Sequence, residues 1–84
     1  MKRTELNEKD FVLSDCTREE AAKHVPNQDY AIMTVYEDTK ATDPLKRYAY
    51  AIYYKHDYLP NFCNRDHEII SNHLQRLYDE ARGL

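Results

Sequence analysis

Two cysteines, four histidines and eight tyrosines are the residues of this chain with the most chemistry to offer. Cys63 and His67 stand four apart, a step that can bring two metal ligands together where a loop enters a helix. His56, Asp66 and His73 are further ligand types nearby, so a structural zinc ion at Cys63, His67 and His56 is the metal centre to consider. Against it, His67 and His73 are six apart, about 240° around a helix, and do not share a face. No second ligand pair is spaced to complete a tetrahedron. Surface histidines and a buried thiol are the simpler reading, and the expectation is no metal and no cofactor.

Cys16 or Cys63 with His24 or His56 would supply a nucleophile and a base. Nothing in the spacing places any of these pairs together. His56 and Asp57 are adjacent, so in a strand their side chains point to opposite faces. Glu19 and Glu20 are accounted for by helix capping. The chain therefore reads as non-enzymatic.

The tyrosines are a different matter. Residues 47–58 hold Tyr48, Tyr50, Tyr53, Tyr54 and Tyr58. Read as a strand, Tyr48, Tyr50, Ile52 and Tyr54 share one face, and Ala49, Ala51 and Tyr53 share the other. Small residues let a helix approach closely. Tyrosines offer flat, amphipathic area of the kind enriched at interfaces. Tyr48, Tyr50 and Tyr54, with Tyr36 across the sheet and Arg47 and Lys55 at the rim, are the candidate partner-binding residues. The plain alternative is that the short helix and the N-terminal segment fold over this face and make it core. A third reading uses the same aromatics, with Lys46, Arg47 and Lys55, to stack nucleic-acid bases.

Local signals define the elements that would position these residues. Thr17-Arg18-Glu19-Glu20 fits a capping box, opening a helix over residues 18–25 that Pro26 stops. Residues 30–37 alternate as a strand with both faces partly apolar, as in a central strand. Residues 38–46 are a polar connection, and the tyrosine strand over about 47–56 follows, most simply antiparallel. Asn64 is a good helix cap. Behind it, Ile70, Leu74, Leu77, Ala81 and Leu84 recur at helical steps across residues 65–82, with Ile69, His73 and Tyr78 widening the stripe. Gly83 sits where a terminating glycine belongs. Residues 1–9 are charged and expected to be frayed or loosely helical. Phe11-Val12-Leu13 is a short apolar run, read as a brief strand or as the end of a first helix.

The resulting fold class is α+β: a single small two-layer domain over residues 1–84. A two- or three-stranded, mostly antiparallel sheet packs on a long C-terminal helix. The order is βαββα, or ααββα if the N-terminus is helical. The predicted helix-facing set is Ala31, Met33, Val35, Ala49 and Ala51. The opposite face would carry Tyr30, Ile32, Tyr36, Tyr48, Tyr50, Ile52 and Tyr54.

Composition narrows function by exclusion. With one glycine, Gly83, the chain lacks the interior glycines of phosphate-cradling and dinucleotide-binding loops. Its net charge of −3 argues against general polyanion binding. The capped helix with Ala21-Ala22 is followed by Pro26 and a strand pattern, which is not a helix-turn-helix recognition helix. No apolar stretch suits a secretory signal or a membrane span, so a cytoplasmic setting with reduced thiols is expected. The expectation is an accessory, regulatory or inhibitory protein that binds another protein or a second copy of itself, with no membrane and with nucleic acid disfavoured. A stand-alone chain of this size would also suit a bacteriophage or other mobile element.

Overall fold

A computed structural model describes residues 1–6, 8–58 and 66–83. The expected α+β domain is present. A four-stranded antiparallel sheet, in the order β1-β2-β4-β3, packs against a C-terminal helix. The strands are β1 (Lys2–Glu5), β2 (Phe11–Ser14), β3 (Tyr30–Glu37) and β4 (Tyr48–Tyr54). The helices are α1 (Arg18–Ala22), α2 (Pro44–Arg47) and α3 (His67–Ala81).

The sheet has one strand more than expected. Residues 2–5 pair with β2 from Lys2 opposite Ser14 to Glu5 opposite Phe11. Nothing in Lys-Arg-Thr-Glu alternates in hydrophobicity, so the segment has no intrinsic strand signal. It is held by the ladder to β2 and by the Leu6 amide donating to the Asp10 carbonyl.

β2 leads into α1 through Asp15, which adopts a left-handed φ of 62°. Aspartate is among the few residues with a side chain that enter this region at modest cost. The Thr17 hydroxyl then accepts from the Glu20 amide at 3.2 Å, as the capping signal requires. The α-helical part ends at Ala22 rather than at Val25. Lys23, His24 and Val25 instead donate to carbonyls three residues back, a tightened last turn. Pro26 explains this, since it keeps Val25 out of helical geometry.

The polar connection over residues 38–46 contains α2, one helical turn capped by Asp43, whose carboxylate accepts from the Leu45 amide at 3.0 Å. Pro44 stands at its start, where a missing amide hydrogen costs nothing. β4 ends at Tyr54, and residues Lys55–Asp57 form a 3₁₀ turn where the strand was expected to continue. Asn64 and Cys63 lie outside the described residues. α3 ends in Arg82 and then Gly83 at φ 76°, the left-handed position only glycine takes freely.

The expected pairing of small residues with the long helix holds. Met33, Val35, Ala49 and Ala51, with Val12 and Tyr53, meet Ile70, Leu74 and Tyr78 of α3, and Ala31 packs against the same cluster. Ala51, Tyr53 and Leu74 are fully buried. Burying one leucine of this kind stabilises by roughly 1.5–3 kcal/mol. The helix stripe is narrower than its sequence suggests. It is centred on positions 70, 74 and 78, while Ile69 is 67% exposed. On the other face, Leu13, Cys16, Ala21, Tyr50 and Ile52 form a second cluster beneath α1.

Candidate functional site

Both of the sheet's outer strands bear on the site. β1 is four residues long and three of them are charged. β3 is eight residues long and carries no charge from Tyr30 to Tyr36. Its inner side pairs with β4, from Tyr30 opposite Tyr54 to Glu37 opposite Tyr48. Among the described residues, no strand pairs with its outer side.

The six residues singled out from the sequence do not form one patch. Tyr48, Tyr50 and Tyr54 share the α1 face as expected. Tyr50 is only 7% exposed there and belongs to the cluster under α1. Burial raises its phenol pKa. It is core rather than contact surface.

Tyr36 is on the opposite face, against Tyr78 of α3 at 6.0 Å between ring centroids. The cause is an irregularity between Thr34 and Tyr36: Thr34 pairs with Tyr50, yet Tyr36 pairs with Ala49, the next residue along β4. Val35 and Tyr36 together oppose one residue of β4. A bulge of this kind breaks strict alternation and sends both side chains to the helix side.

What remains lies at the two ends of the α1 face. At one end, Tyr48 is half-buried beside Tyr50, and the Arg47 guanidinium is 5.6 Å from its ring. Arg47 also pairs with Glu37 at 3.1 Å, and this hydrogen bond holds its pKa above the ordinary value. At the other end, half-buried Tyr54 meets Tyr30 at 5.2 Å and His56 at 5.1 Å. The Lys9 ammonium is 4.2 Å from the Tyr54 ring centre. Lys55 is half-buried, and its amide donates to the Asp29 carbonyl at 2.9 Å.

Asp10 was not singled out from the sequence. It is 2% exposed, and its carboxylate accepts from the Tyr54 amide at 3.0 Å and from the Tyr58 hydroxyl. It joins the β1–β2 turn to the end of β4. A lone aspartate in a polar turn gives no sequence signal for such a role.

Cys63, shared by the catalytic and metal candidates, lies outside the described residues. Cys16 is 2% exposed, and burial together with nearby Glu20 pushes its thiol pKa up, away from the reactive thiolate. His56 faces Asp29 at 3.0 Å, while Asp57 faces Lys9 at 3.7 Å. Among the described residues, no three His, Cys, Asp or Glu side chains are grouped to hold a metal ion. No described helix is long and apolar enough to cross a membrane. The chain matches no family model, no curated protein and no solved structure.

Proposed function

We propose that this protein is a non-enzymatic accessory or regulatory factor that binds another protein by adding an extended segment of that partner to β3. The carrying observation is the contrast between the two sheet edges. β1 is short and charged, the usual protection of an edge against pairing. The outer side of β3 has seven consecutive uncharged residues, Tyr-Ala-Ile-Met-Thr-Val-Tyr, rich in strand-forming types. Strand addition takes affinity from the main chain and specificity from alternating side chains. Here Tyr30 and Ile32, backed by Tyr54, flank the edge on the α1 side. A shallow groove of about 340 Å³ lined by Thr34, Val35, Tyr36, Glu37 and Gln75 flanks it beside α3.

A partner of low charge with alternating β-branched and aromatic residues suits this edge. A second copy is the competing occupant of the same edge. Nucleic-acid stacking finds weaker support, because Tyr50 is core and Arg47 beside Tyr48 is already paired with Glu37.

A displayed library of random linear peptides tests the reading. The expected binders are low in charge and alternate β-branched with aromatic residues. Their binding is lost in Thr34→Lys, which sets a charge on an exposed position of the edge, and kept in Arg82→Gln. No enrichment, or equal binding by Thr34→Lys, would overturn the proposal. Light scattering separates the remaining case: a stable dimer that Thr34→Lys dissolves assigns the edge to a second copy instead.

A further inference from the structure

Away from the outer side of β3, a groove of about 300 Å³ opens where the N-terminal strand, the start of β4 and the end of α3 meet. That is the lower end of the range for small-molecule sites, about 300–1,000 Å³. Its small lining residues, Ser14 and Ala49, leave room for an occupant. Three cations, Lys2, Lys46 and Arg82, line it together with Asp15 and Asp38.

The groove thus has a small positive excess in a chain that carries 15 acidic and 12 basic side chains. Among the described residues neither Lys46 nor Arg82 is in an ion pair. Lys2 reaches Asp15 only at 3.9 Å, with its side chain 82% exposed. One oxygen of the Asp38 carboxylate accepts from the Lys40 amide at 3.0 Å.

Arg82 is held in place rather than free in solvent. Its guanidinium lies 5.1 Å from the Tyr36 ring centre and 5.2 Å from that of Tyr78. Hydrogen bonding to Tyr36, and to a lesser degree to Tyr78, takes up part of its five-donor fork and fixes its position, and the remaining N–H groups suit phosphate. The bulge that turns Tyr36 to this face is what provides one side of the clamp.

We propose that this groove binds a small phosphate monoester, with Arg82, Lys46 and Lys2 on the phosphate and Asp15 and Asp38 accepting from hydroxyl groups of the ester. Three cations against two carboxylates leave the groove with a small positive excess, which suits a single phosphate better than a polyphosphate. A groove of this size suits a ligand as small as a sugar phosphate.

The test is NMR titration of the intact chain at constant ionic strength with ribose 5-phosphate, inorganic phosphate and acetate as separate probes. The expected result is saturable binding of ribose 5-phosphate, with shifts centred on Ala49, Tyr36 and Arg82. Inorganic phosphate binds at least several-fold more weakly, and acetate does not saturate. Arg82→Gln, at an exposed position, weakens ribose 5-phosphate about tenfold or more, as expected for loss of a charged hydrogen-bonding partner. Lys46→Gln weakens it several-fold, and Thr34→Lys leaves it unchanged. Absence of saturation, equal affinity for acetate, equal affinity for inorganic phosphate, or undiminished binding by a folded Arg82→Gln variant would each overturn the proposal.

Discussion

The two faces of this sheet are built from the same strands and solved differently. On one, the 15-residue α3 lays Ile70, Leu74 and Tyr78 on a surface of Val12, Ala49, Ala51 and Met33. On the other, the five-residue α1 contributes a single buried side chain, Ala21, over Leu13, Tyr50 and Ile52. The long helix reaches close because β4 offers it alanines. The short one leaves Tyr30, Tyr48 and Tyr54 half-buried around it, and large side chains with a polar tip tolerate that position. A small domain thus places more of its buried core on one face and keeps aromatic surface on the other.

The largest expected effect strikes the α3 face. Leu74→Ala removes a fully buried side chain from a close-packed helix–sheet contact and should cost about 3 kcal/mol. Chemical denaturation measures it. For an 84-residue domain that is a large part of the roughly 4–13 kcal/mol available. A cost below about 1 kcal/mol would mean that the two faces do not differ as described.

Alkaline pH probes the same face by a different route. Burial pushes the Tyr53 phenol up to about 12, from an ordinary value near 10. Its neutral form is the one the fold prefers. The associated stability is therefore complete below pH 10 and is lost as pH rises through 12. The loss should reach about 2–3 kcal/mol and be flattened in Tyr53→Phe. Denaturation midpoints at several alkaline pH values, with ultraviolet titration of the tyrosines, test this. A Tyr53 that ionises with the exposed tyrosines would contradict its burial.

Asp10 ties the end of β4 to the α3 face, since it accepts from the Tyr54 amide and from the hydroxyl of Tyr58, which packs with the α3 cluster. Asp10→Ala leaves the Tyr54 amide and the Tyr58 hydroxyl without this acceptor and should cost about 2 kcal/mol. Amide exchange should speed up at Tyr54 and in the β1–β2 turn while the α3 cluster stays protected. Uniform acceleration across the sheet would show that the faces open together. The smallest effect belongs to α1. Thr17→Ala deletes its cap and should cost about 1 kcal/mol by the same denaturation measurement. An effect as large as that of Leu74→Ala would make α1 an equal partner in the core.

Much of this was legible in the chain itself. Alternation of alanine with tyrosine assigned the faces of β4, the step of three and four located α3, and Thr17 with Pro26 bracketed α1. These are local rules, in which a residue's neighbours in sequence suffice. β1 escaped notice because its four residues take their order from hydrogen bonds to β2 rather than from their own pattern. The candidate site was legible only in part. Tyr50 and Tyr54 look alike in sequence, yet α1 crosses over one and not the other.

What the sequence by itself determined is the fold class and which side chains of β4 face the long helix, because period and propensity act over a few residues. Only the tertiary structure decided that Tyr36 changes face, since a bulge exists only relative to the strand it is paired with. The same holds for the edge and the groove. An outer strand is defined by the strands that are not beside it. Lys2, Lys46 and Arg82 meet because the sheet order brings the two ends of the chain together at the start of β4.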